Sequence, residues 1–140
     1  MSQARRHAGT PRQSPMHLAI RFALEIATLV AFGRSGWRIG HGGVGGAVLA
    51  ILLPLLGGAA WAVFRAPDDG AGPRAIAPVP GPIRLLIEWL LIGLGTLGLW
   101  IAGSWLSATV LLVLWGLHYA VTWDYVRWLW KQRMPATPAQ

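Results

Sequence analysis

Two arginine–glutamate pairs sit in stretches that are otherwise almost free of charge. In LAIRFALEIATLVAF (18–32) they are Arg21 and Glu25; in PIRLLIEWLLIGLGTLGLW (82–100) they are Arg84 and Glu88. Residues four apart on a helix are neighbours on one face. At 1.5 Å per residue, each glutamate lies about 6 Å further along the axis than its arginine. Carboxylates in an apolar phase can serve one of two ends. They can bind a cation or carry protons from a polar cavity, or they can sit in ion pairs that fix how helices pack. An ionised carboxylate in hydrocarbon is costly, so Glu25 and Glu88 are expected to face other helices and find a partner. The candidates are the arginine one turn back, and Arg65 and Arg127 entering from later helix ends. Arg21 and Arg84 have stems long enough to snorkel to headgroups, which a glutamate lacks. An adjacent guanidinium keeps a carboxylate ionised and makes it a poor proton carrier, which favours the structural reading.

Other chemistry finds little support. The chain has no Cys, which excludes disulfides and thiolate ligands. His118 is the one histidine well inside an apolar stretch, and a bis-His haem needs a second at matching depth. No metal-ligand set stands out, nor any Ser/His/Asp arrangement. GGVGG (42–46) lacks the lysine and the strand of a phosphate loop. No cofactor, metal or catalytic residue is expected, and the chain is not expected to be an enzyme.

The elements that hold the pairs follow from composition. Of 140 residues, 54% are hydrophobic and 12% charged, where soluble domains carry about 25% charged residues. Residues 44–64 and 89–123 contain no formal charge at all. A bilayer core needs roughly 20 apolar residues in helical form. The first run supplies one span, and the second breaks near AGSWLS (102–107) into parts of two. The expected fold is all-α: a polytopic membrane protein with four transmembrane helices at about 16–35, 44–65, 83–102 and 106–131. Residues 1–15 read as a disordered cytoplasmic tail and 132–140 as a flexible one, with the membrane domain between (16–131). GRSGWRIGHGG (33–43) reads as a link, and the Pro- and Gly-rich stretch 66–82 as a connector. Arg5, Arg6 and Arg12 precede the first apolar stretch as in a signal peptide. Arg21 and Glu25 interrupt that stretch, however, and no clean cleavage site follows, so an uncleaved first helix is expected.

The second helix carries Gly46, Ala50, Pro54, Gly58 and Ala62 at every fourth position, a stripe that lets helices approach closely in lipid. Pro54 is expected to bend it. WDYVRWLWKQR (123–133) reads as a membrane-surface anchor, with Asp124 free to pair with Arg127 or Arg84. The net charge of +7 is concentrated in tails, loops and helix ends. Topology explains that better than nucleic acid does. Arg34 and Arg38 fall on one side and the other basic residues on the opposite one, so both termini are expected to be cytoplasmic in a bacterial inner membrane. The Arg-x-x-x-Glu spacing recurs, and WAVFR (61–65) parallels WDYVR (123–127), so the four helices read as two repeated hairpins.

RFALEIATLVAFGRSGW, AILLPLLGGAAWAVFRAP and IRLLIEWLLIGLGTLGLW resemble the YrdB-like family of small bacterial membrane proteins over roughly residues 17–103. The resemblance implies four membrane helices and no assigned activity. The expected function is therefore a non-enzymatic binding or accessory module with a structural Arg/Glu cluster. Its expected partners are the lipid bilayer, anionic headgroups, and a second copy or a membrane partner protein. The alternative is a small proton- or cation-coupled transporter or channel acting as an oligomer through Glu25 and Glu88. Small multidrug exporters also place a Glu in the first of four helices, but usually without an Arg one turn before it.

Overall fold

A computed structural model describes residues 14–66 and 76–132; most of the two expected tails lies outside them. The elements are helices α1 (Pro15–Ile39) and α2 (Gly43–Val63), strands β1 (Phe64–Arg65) and β2 (Ala77–Pro78), and helices α3 (Gly81–Ile101), α4 (Trp105–Val121) and α5 (Trp123–Lys131). Among the described residues, three helices, α1, α2 and α3, are long and apolar enough to cross a membrane; a fourth span arises if the bent pair α4 and α5 counts as one. The chain is thus a helical, membrane-type protein.

The first helix starts where local chemistry favours it. The Ser14 hydroxyl accepts the His17 backbone N–H at 3.3 Å, and Pro15 takes the first helical position. The helix then runs to Ile39, past the expected end at residue 35 and through most of the glycine-rich stretch read as a link. Glycine breaks helices chiefly by exposing backbone to water and by its entropy. Against another helix it permits close approach instead. Gly36 and Gly40 do this against α2. A Cβ at Gly36 would lie 2.5 Å from the Leu49 backbone, and one at Gly40 would lie 2.6 Å from the Gly46 Cα. The actual link is Gly40-His41-Gly42, and His41, Gly42 and Gly43 all have positive φ. α2 continues through Pro54 as a single helix.

α1 is the central element and packs on α2, α3 and α4. Its Thr28 and Ser35 face glycines of α3: a Cβ at Gly95 would meet Thr28 Cγ2 at 3.1 Å, and one at Gly98 would meet Ser35 Oγ at 2.7 Å. Both hydroxyls donate to carbonyls of their own helix, Thr28 to Leu24 and Ser35 to Ala31. Trp115 Nε1 donates to Thr28 Oγ1 at 3.1 Å, which ties α4 to α1. The core comprises Leu24, Ala31, Phe32, Trp61, Leu91, Ile92, Leu99, Leu111 and Trp115 among others. Large apolar side chains such as Phe22, Val30, Leu55, Trp100 and Trp105 face outward. This distribution suits a lipid solvent.

Two features depart from the expected four-helix arrangement. The single last helix over 106–131 is two helices bent by 77°. At the break, Thr122 leaves helical geometry (φ −101°, ψ 26°) and its hydroxyl donates to the His118 carbonyl at 2.7 Å. Such back-bonding favours bends. Beyond it the pattern turns amphipathic. Val126 and Leu129 are buried with Leu85 and Ala66, while Trp123, Asp124, Arg127 and Lys131 are exposed. The second departure is a short parallel pairing of Phe64–Arg65 with Ala77–Pro78. Arg65 consequently lies beyond the end of α2, not within it. WAVFR and WDYVR also occupy different elements, the first at the end of α2 and β1, the second opening α5.

Candidate functional site: an arginine–glutamate cluster

The start of α1, the end of α2, the start of α3 and α5 meet at one end of the bundle. α5 folds back on α3: the Gly81 N–H donates to the Gln132 carbonyl at 3.0 Å, and a Cβ at Gly81 would overlap the Leu129 carbonyl. This packing brings Arg21, Glu25, Arg84 and Glu88 into one cluster.

The two arginines are not equivalent. Arg21 Nε donates to Glu25 Oε1 at 3.2 Å, and its Nη2 donates to Glu88 Oε2 at 3.1 Å. Its guanidinium carbon also lies 5.2 Å from the centre of the Tyr125 ring of α5, a cation–π contact. One guanidinium thus bonds a carboxylate of its own helix and one of α3 while resting on α5. Arg84 turns elsewhere. Its Nη1 donates to the Phe64 carbonyl at 2.8 Å and the Trp61 carbonyl at 3.3 Å. The last carbonyls of a helix have no partner within it, so a cation there satisfies them and complements the helix dipole. Neither arginine snorkels outward, because carboxylates and helix-end carbonyls offer partners inside.

Among the described residues, the ion pairs within 4 Å are those of Arg21 with Glu25 and with Glu88. The expected partnership of Glu88 with Arg84, Arg65 or Arg127 gives way to one with the arginine of the first helix. Arg65 sits in β1, and Arg127 is exposed on α5. Asp124 is exposed in the first turn of α5, where a negative charge complements the helix dipole. Glu88 is closed off, with its side chain 2% exposed, whereas that of Glu25 is 26% exposed. Two arginines and two glutamates leave the cluster formally neutral.

The surrounding aromatic residues escaped the sequence reading. Trp61 stacks on Trp115, Trp115 stacks on Tyr119, and His118 meets Trp115 edge-on. The Tyr119 hydroxyl and Trp61 Nε1 are buried without a hydrogen-bond partner among the described residues. The available signal was the scarcity of tyrosine: the chain has two, and both lie beside the cluster. Among the described residues, no three His, Asp or Glu converge in a way that would hold a metal ion.

The small-residue stripe of α2 divides. Gly46 packs under Trp37, whose carbonyl would lie 2.8 Å from a Cβ there, and Ala50 and Pro54 border Gly33 of α1. Gly58 only grazes Leu29, and Ala62 is exposed. The tight contact one turn on is made by Gly57, where a Cβ would lie 2.9 Å from the Phe32 ring. The stripe therefore drifts by one position, as a 3.6-residue period requires of residues four apart.

Residues 19–123 match the family described as "Protein of unknown function (DUF2568)". The chain is 32% identical over 117 residues to "Uncharacterized protein YrdB" of Bacillus subtilis (strain 168), which covers 83% of this chain and 94% of the relative. No solved structure matches. The matched segment runs from the first turns of α1 to the start of α5 and contains the whole charge cluster, and on that extent the chain belongs to the DUF2568 family.

Proposed function

We propose that this chain is an integral protein of the bacterial cell membrane, crossing it four times as two helical hairpins with both termini in the cytoplasm. It acts as a non-enzymatic binding or accessory module, and its Arg/Glu cluster is a clamp that holds the helices together. The observation that carries this reading is Arg21. A single guanidinium bonds both glutamates, joins α1 to α3 and rests on α5, so both carboxylates are already partnered. α4, 17 residues long, then makes the fourth crossing alone, and α5 lies along the cytoplasmic interface, where Trp123, Trp130, Arg127 and Lys131 contact anionic headgroups.

A second reading draws on Glu25, whose partial exposure would admit a cation or proton in an oligomeric transporter. The two readings separate in proteoliposomes carrying an internal pH dye. The clamp reading expects no proton flux above that of empty vesicles under an imposed potential, and no change on Glu25→Gln. Flux that disappears in Glu25→Gln would establish the transporter instead.

A further inference from the structure

The middle of the α1–α2 pair holds a second feature that the cluster does not use. Between α1 and α2 runs a shallow, open groove of about 530 Å³. Ile26 and Val30 of α1 face Ala50 and Pro54 of α2 across it. Gly33 leaves it open, since a Cβ there would lie 3.2 Å from the Ala50 carbonyl and 3.7 Å from Pro54 Cγ. Arg34 closes one end.

Arg34 is placed to receive an anion. It lies about 20 Å along α1 from Arg21, and its Nε donates to Ser104 Oγ in the α3–α4 link at 2.9 Å. That bond orients the guanidinium and leaves its Nη groups for another acceptor. Among the described residues, no carboxylate lies within 4 Å of it. Arg38, one turn on, adds a second exposed positive charge on the same helix face. An apolar trough ending in exposed guanidinium groups matches a molecule with an acyl chain and a phosphate, because arginine binds phosphate through paired charge-assisted bonds.

We propose that this groove binds one anionic phospholipid of the leaflet opposite the charge cluster, with an acyl chain along Val30 and Pro54 and its phosphate on Arg34. The proposal rests on the membrane-spanning reading but not on the clamp. In the bilayer the chain supplies the dispersion contacts that an empty groove would forfeit, and the guanidinium supplies the headgroup preference.

The test is native mass spectrometry of the detergent-released full chain with phosphatidylglycerol or phosphatidylcholine of matched acyl chains. All proteins carry Arg127→Gln and Lys131→Gln, to remove headgroup binding by α5. The expected result is one retained phosphatidylglycerol per chain, in preference to phosphatidylcholine. Arg34→Gln should lower that affinity about tenfold or more, as loss of a charged hydrogen bond does. Arg34→Lys should keep part of the preference. Val30→Trp places an indole over the groove from an exposed position and should weaken both lipids. Inorganic phosphate should give no thermal stabilisation. Equal retention of the two lipids, a preference that survives Arg34→Gln, or full stabilisation by inorganic phosphate would each overturn the site. Alkaline extraction of native membranes checks the spanning reading separately. A chain that leaves the membrane overturns both readings, whereas one that stays but shows no lipid preference overturns only the site.

Discussion

Arg21→Gln is expected to lower the unfolding free energy by about 3 kcal/mol or more, the range seen when one partner of a buried ion pair is removed. The wild-type guanidinium bonds both Glu25 and Glu88, and Glu88 has almost no access to solvent. Glutamine is too short and uncharged to replace it, so Glu88 is left as an uncompensated charge. The same argument gives a rescue. Glu88→Gln in the Arg21→Gln background removes the stranded charge, so the double variant should be more stable than Arg21→Gln alone. Arg84→Gln loses hydrogen bonds to two carbonyls at the end of α2 and strands no carboxylate within 4 Å. Its cost should be smaller, about 1–3 kcal/mol. Unfolding in mixed micelles, followed by tryptophan fluorescence, measures all four. Equal losses for Arg21→Gln and Arg84→Gln, with no rescue, would show that the two arginines share the load.

Gly36→Ala is the second large effect. The added Cβ would lie 2.5 Å from the carbonyl of Leu49 and 2.8 Å from the Ala50 nitrogen. Both are backbone atoms of a neighbouring helix and cannot swing aside as a side chain can. The helices must separate along their closest contact, which loses dispersion contacts there. Overpacking of this kind costs about 1–3 kcal/mol, and more where backbone must move. Gly93→Ala supplies the control, because nothing lies within 4 Å of a Cβ there. It should leave the melting temperature unchanged or raise it slightly, since alanine favours helix by about 1 kcal/mol over glycine. A matching rise for both variants would mean that helix propensity, not close approach, decides the outcome.

The helical, membrane-type class was legible because so few residues carry charge, and because 44–64 and 89–123 carry none. The location of the site was legible for a related reason: a glutamate inside an apolar helix demands a partner. Which partner it finds was not. The four-residue spacing of Arg84 and Glu88 suggested a pair within one helix, yet a tertiary contact overrides it and Arg21 takes both carboxylates. Glycine misled for a physical reason. In water, GRSGWRIG reads as a breaker, but between packed helices Gly36 and Gly40 are the points of closest approach, and α1 runs on to Ile39. The bend at Thr122 had a signal in the change from an apolar run to the amphipathic WDYVRWLWK. That signal was absorbed into an interfacial helix end instead of a separate helix. The pairing of Phe64–Arg65 with Ala77–Pro78 had none, because two-residue strands carry no period to read.

The most direct test of the clamp compares melting temperatures of wild type, Glu25→Gln, Glu88→Gln and the double variant across roughly pH 5 to 9. If the carboxylates hold the helices together through Arg21, both single variants melt below wild type at every pH, and the double variant melts lowest. Variants that melt at or above wild type, beside a wild type whose own melting temperature moves with pH, would contradict the clamp and show that the glutamates are kept for function at a cost in stability.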